Sequence, residues 1–158
     1  SDLRRQRQMC IRDSNHPMWL MRRALKYMIP QEHGRIMSVS SMYGKVVLAT
    51  QAPYCTTKHA LNGLTKVVAQ EVGTLGITVN ALCPGGILTD IMQEQGPAAA
   101  EQLGLSFEDF LTMMQAPSAI KRMNTVEDCA LVAVLLASEA GAGITGSLIS
   151  IDGGQSPY

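Results

Sequence analysis

Two short apolar runs bracket one long amphipathic stretch, and that order limits the possible folds more than any other feature of the chain. Ile36 to Ser40 (IMSVS) and Ile77 to Leu82 (ITVNAL) read as strands buried on both faces, as in a parallel sheet. Between them, Pro53 suits the first position of a helix. Its periodic positions run through Ala60, Leu64, Val67, Val68 and Val72 until Gly73 and Gly76 end it. Strand, long helix and strand in this order imply a crossover between parallel neighbours, hence an α/β layered sheet.

The flanks extend this unit. Pro17 to Gln31 reads as a helix, with Met18, Met21, Leu25, Met28 and Ile29 at three- and four-residue spacing, basic residues on the other face, and Gly34 as its stop. A loop is expected from Ser41 to Ala52. Residues 89–123 form a helical, Met- and Phe-containing stretch interrupted by Gly96-Pro97, Gly104 and Pro117, a candidate mobile lid. Thr125 and Asp128 suit a capping box for a helix through Ala137. A last strand, Ser147 to Ile151, is closed by Asp152-Gly153-Gly154. The 158 residues make one domain or part of one.

Charge bears on partners. Four of the 13 basic residues, Arg4, Arg5, Arg7 and Arg12, lie near the start. Yet Arg4 to Ser14 (RRQRQMCIRDS) is what one frame of a transposon sequencing adapter encodes. Residues 1–14 are therefore expected to be translated adapter on the edge of a truncated gene, and 15–158 the native portion. Without them nine basic and 11 acidic residues remain, a net charge of −2, and no electrostatic case for nucleic acid survives. At 46% hydrophobic and 16% charged, the composition excludes disorder and coiled coil. With no apolar run near the roughly 20 residues a membrane helix needs and no signal-peptide order, a cytoplasmic protein with no membrane partner is expected. The four cysteines show neither CxxC nor His at ligand spacing, so neither a metal site nor a disulfide framework is expected.

The chemistry converges beyond the carboxyl ends of the strands, where open parallel sheets bind ligands. Ser41 follows the first strand, Pro84-Gly85-Gly86 the second, and Tyr54 opens the helix between them, with Lys58 one turn on. A phenol shuttles protons near neutrality only if a cation stabilises its phenolate, and an ammonium about 4 Å away supplies about 4 kcal/mol. Ser41 can hold a carbonyl or carbinol oxygen while Tyr54 passes its proton. With a hydride carrier alongside, this is an apparatus for interconverting ketone and alcohol. The glycines after Pro84 would let backbone approach the carrier, and Thr89 could donate to a carboxamide or phosphate.

SVSS, PYCTTK with Ser41 thirteen residues before Tyr54, GITVNALCPGGILTD and ITGSLISIDGG together resemble the short-chain dehydrogenase/reductase family, of the compact kind that includes the oxoacyl-carrier-protein reductases. The likeness runs from about Pro17 to Ile151. It implies a Rossmann-type doubly wound parallel sheet, of which this is the C-terminal half, and NAD or NADP as cofactor. It further implies Tyr54 as catalytic acid/base, Ser41 orienting substrate, and Lys58 assisting the tyrosine and binding the nicotinamide ribose. Pro84, Gly85, Ile87 and Thr89 would line the nicotinamide side, with 89–123 as substrate lid. A homo-oligomer, dimer or tetramer, is implied through the helices from Pro17 and Pro53. TKHALNGLTKVVAQE and ILTDIMQEQ resemble 3-hydroxybutyrate dehydrogenases, where a Gln equivalent to Gln95 touches the substrate carboxylate; the aromatic residue those enzymes carry after the last Gly-Gly is Gln155 here.

The family's TGxxxGxG pyrophosphate turn does not occur in these residues, and its fourth catalytic residue, an Asn, falls on Asp13, with Asn15 two places out of register. The alternative expectation is an inactive fragment serving only folding or oligomerisation; a third keeps the fold but epimerises or dehydrates. Cys55 and His59 flank the pair and read as packing or surface residues.

Overall fold

A computed structural model describes the backbone of residues 2–156, with the side chains of 8, 11, 12 and 15–156. Three parallel strands, β1 (Gly34–Val39), β2 (Ile77–Pro84) and β3 (Leu148–Ile151), form a sheet in the order β1-β2-β3. Ile36 pairs with Val79 and Ala81 with Leu148. The apolar runs are thus strands, and β2, flanked on both edges, is buried almost end to end, as a continuous apolar run requires.

The helices are α1 (Asp2–Gln31), α2 (Ala52–Val72), α3 (Asp90–Gln102), α4 (Phe107–Gln115) and α5 (Val126–Ala137). The crossover from β1 to β2 runs through α2, with Pro53 in its first turn. Met21 of α1, Leu61, Val68, Ala69 and Val72 of α2, and Ile36, Ile77 and Val79 of the sheet bury one core, with Leu25, Met28 and Leu64 against its edge. On fully burying a Leu or Val, roughly 1.5–3 kcal/mol is gained, so this face dominates stability. Meanwhile α5 packs on β1 and β2 outside that cluster, starting from the predicted capping box of Thr125 and Asp128.

Several expectations are corrected. The helix expected from Pro17 continues back to Asp2 with Pro17 in its interior, because Arg, Gln and Met favour helix and one proline forfeits one hydrogen bond. Its stop is Glu32, at φ 47°, rather than Gly34. Gly34 instead opens β1 and is small because a Cβ there would lie 2.5 Å from the Met28 sulfur. Nor do Gly96 and Pro97 interrupt the lid: α3 runs through both, Gly96 buried under the Phe107 ring. The break falls at Gly104, at φ 69°. Among the described residues no helix is long and apolar enough to cross a membrane, and no three His, Cys, Asp or Glu groups could hold a metal ion.

Candidate active site

β1 delivers its chain end to a sharp turn. Ser40 N donates to Leu82 O (2.8 Å), prolonging the β1–β2 pairing by one residue, and Ser41 then leaves in extended conformation to cap the short 3-10 turn Met42–Gly44. The buried Ser41 Oγ accepts from Tyr43 N at 3.2 Å. One lone pair is thereby committed and the hydroxyl proton left free to donate.

Tyr54 is half-buried in the first turn of α2, where Gln51 is the N-cap without a side-chain bond. One turn on, Lys58 places Nζ 5.6 Å from the centroid of the Tyr54 ring and donates from it to Val39 O at 3.3 Å. The ammonium stands over the ring, in reach of a cation–π contact.

The turn is locked against α2. Asn62 Nδ2, buried, donates to Gly44 O (2.8 Å), and Ser40 Oγ lies 3.4 Å from Lys58 O. Ser41 and Tyr54 therefore belong to one packed unit and line one cleft of about 810 Å³, together with Gly85, Gly86 and Ile87 at the end of β2. Its outer walls come from Val46 to Gln51 of the loop, Met92 and Leu103 at α3, and Phe110, Met113 and Met114 of α4.

The predicted residues divide. Ser41, Tyr54, Gly85 and Ile87 line the cleft; Lys58 and Pro84 lie beside it, outside its wall. Thr89 caps α3, its Oγ accepting from Met92 N (3.3 Å), and is likewise off the wall. Gln95 is exposed on α3 and does not reach the cleft. Asn15 is exposed on α1, while the Asp13 side chain lies outside the described residues. His59 Nδ1 lies 2.9 Å from Cys55 O, and Cys55 is buried.

The paired glycines are also packed closely from behind. A Cβ on Gly85 would lie 2.8 Å from Asp152 Cα, and one on Gly86 2.8 Å from Met123 Cε. Asp152 backbone thus packs directly behind Gly85, and the end of the Met123 side chain behind Gly86. The floor is braced from behind: Gly85 N donates to Ile151 O, and Asn124 N to Gly86 O. Asp152, buried, accepts from Gly154 N and Ser156 N to hold the closing turn.

Sequence reasoning missed Tyr43. Its ring meets Tyr54 edge-on at 6.4 Å and 72°, and it lines the cleft. Burial, then the nearby Cys55 and Tyr54, push its phenol above the usual tyrosine value, so it stays a neutral neighbour. Its place two residues after Ser41 was the available signal. Val46, Val47 and Leu48 were passed over as plain loop.

A nicotinamide group can be tested against this floor. Among the described residues the Ile87 N–H meets no hydrogen-bond acceptor, and at the cleft wall it fits a carboxamide oxygen. The Thr89 hydroxyl retains its proton, and Lys58 Nζ has donor capacity beyond its one carbonyl bond. The residues fit the nicotinamide-ribose half of such a cofactor.

A family model described as enoyl-(acyl carrier protein) reductase matches residues 7–156. The chain belongs to the short-chain dehydrogenase/reductase family. It is similar to a D-beta-hydroxybutyrate dehydrogenase of Rhizobium meliloti, with 38% identity over 135 residues, 85% of this chain and 52% of that protein. A 3-oxoacyl-(acyl-carrier-protein) reductase of Rickettsia prowazekii is 35% identical over 136 residues, covering 86% and 52%. Among solved structures, ElxO with NADP bound superposes with a TM-score of 0.78 at 32% identity, covering 90% of this chain and 54% of that one. The chain spans about half the length of these relatives, and its sheet is a Rossmann-type α/β sheet as expected.

Proposed function

We propose that this chain carries the proton-handling half of an NAD(P)-dependent short-chain dehydrogenase/reductase that interconverts a secondary alcohol and a ketone. The observation that carries the reading is the convergence of Tyr54, under the Lys58 ammonium, with buried Ser41 at the carboxyl end of the sheet. The named activities of the relatives and the NADP bound to ElxO support it. Residues 15–158 are then the C-terminal portion of a single domain with 89–123 as lid, and residues 1–14 translated adapter. The working enzyme is a cytoplasmic homo-oligomer.

The chain's own groups divide the work. Ser41, its oxygen fixed by the Tyr43 amide, donates its proton to the substrate oxygen. Tyr54 delivers the proton that completes the alcohol in the reductive direction and removes it in the oxidative one, and Lys58 stabilises the phenolate between. Gly85, Ile87, Pro84 and Thr89 would hold the nicotinamide ring, and Lys58 with Tyr54 its ribose. When bound, the cofactor supplies or accepts the hydride. In the full-length form, Tyr54→Phe should cut turnover by roughly 10²–10⁴ with folding intact. Undiminished turnover would overturn the assignment.

One observation favours the second reading, an inactive assembly fragment: Trp19 and Leu20 of α1 and Val67 of α2 are exposed by 65%, 68% and 56%. A nicotinamide-cofactor titration separates the two. Saturable binding supports a surviving site, and no binding supports the fragment.

A further inference from the structure

We infer that the substrate held by this cleft is an uncharged, predominantly apolar carbonyl compound or alcohol, a neutral ketone or keto ester rather than a keto or hydroxy acid. This rests on the proposed chemistry at Tyr54 and Ser41, and it follows from what surrounds them. Among the described residues, no Lys, Arg, His, Asp or Glu side chain lines the cleft.

A carboxylate entering it would lose water and meet no full positive charge, and a desolvated anion is tolerated only when paired. Lysine and arginine side chains stand outside the cleft wall. Lys58 faces the Tyr54 ring and Val39 O, Lys121 Nζ donates to Ala116 O (2.8 Å), and Arg122 pairs with Asp128 (2.7 Å). Lys45 donates to Ser150 Oγ (2.7 Å). Gln95 is exposed on α3, away from the wall. The polar groups that do line the cleft, Tyr43, Thr50, Gln51 and Gln155 among them, are neutral and suit an ester, amide or hydroxyl. The opening turn of α2, where Tyr54 stands, adds only partial positive charge.

The remaining wall is soft. Met92, Met113 and Met114 with Phe110 make an adaptable apolar surface, so a spread of chain lengths should be accepted.

The test is a matched pair of ligands differing in charge: methyl 5-oxodecanoate and 5-oxodecanoate at neutral pH. Each is titrated into the full 158-residue chain carrying ¹³C-methyl methionine. The ester should shift the Met92, Met113 and Met114 methyl signals and bind at least tenfold more tightly than the acid. Equal affinities, tighter binding of the acid, or no response to either would overturn the inference. Met113, 47% exposed, tolerates a charged replacement, and Met113→Lys should raise affinity for the acid at least fivefold while the dispersed spectrum persists. No gain for the acid would count against the inference in the same way. Failure of the proposed chemistry looks different. If Ser41→Ala and Tyr54→Phe both leave ester affinity unchanged while the charge discrimination holds, the carbonyl does not sit at those residues, and only the apolar character of the cleft survives.

Discussion

Two glycines, one in the turn packed on α2 and one exposed on α2 itself, give a sharp test of how the turn after β1 is held. Gly44 closes the 3-10 turn after Ser41 without a left-handed φ, so alanine suits its backbone. Its missing Cβ would nonetheless lie 2.6 Å from Asn62 Nδ2, 2.8 Å from Ser40 Oγ and 2.9 Å from Lys58 O. Forcing a methyl into such a gap costs about 1–3 kcal/mol. The shift also strains the Asn62 bond to Gly44 O, and an unpaired buried amide costs about 1–3 kcal/mol more. Gly44→Ala should therefore lower stability by roughly 2–5 kcal/mol. Gly63 sits in the same α2, exposed, with nothing near its missing Cβ, and Gly63→Ala should stabilise by roughly 0.5–1 kcal/mol. Urea unfolding of both variants, read by far-UV circular dichroism, measures the pair. Because Gly44 N donates to Ser41 O (2.9 Å), the loss should be accompanied by weaker ester binding in the cleft. Equal stability of Gly44→Ala and the unaltered chain, or destabilisation by Gly63→Ala, would refute the tight apposition of turn and helix.

Leu136, 1% exposed beneath the sheet-facing side of α5, should cost about 2–5 kcal/mol on Leu136→Ala, measured by the same unfolding experiment. Thr125→Ala removes the Oγ that accepts from Asp128 N (3.1 Å) and should cost about 1 kcal/mol, seen as a lower urea midpoint. The Asp128 carboxylate, hydrogen-bonded to Arg122 and then to Thr125 N, is held down from 3.8 to about 2. Because the folded value is the lower one, its contribution is complete above about pH 4 and disappears as pH falls toward 2. Arg122→Ala should flatten that acid loss, followed by thermal unfolding between pH 5 and 2, and an unchanged slope would contradict the pairing.

Much of the scaffold was legible because it is set by local pattern. IMSVS and ITVNAL read correctly as strands, but only the second is buried on both faces, since β1 lies at the sheet edge with Val39 66% exposed; α2 announced itself through Pro53 and its three- and four-residue spacing. The Thr125–Asp128 box is a purely local device and was read at the right residues. Gly34 was misread as a helix stop, and the packing behind Gly85 and Gly86 was not foreseen, for one shared reason. Each looks like a turn or ligand-approach glycine, but Met28, Asp152 and Met123 arrive from elsewhere to fill the space. Tyr43 and the Val46–Leu48 segment lack a periodic signature, so nothing short of a folded cleft marks them.

By itself the sequence determined the alternation of strand and helix, and hence that Ser41, Tyr54 and Lys58 emerge at one end of a parallel sheet, because hydrophobic period and side-chain spacing act within a few residues. Only the tertiary structure decided what stands around them. Gln95 faces solvent, Tyr43 leans on Tyr54, and among the described residues the cleft wall carries no charge, since each depends on contacts between segments far apart in the chain, which local periodicity does not encode.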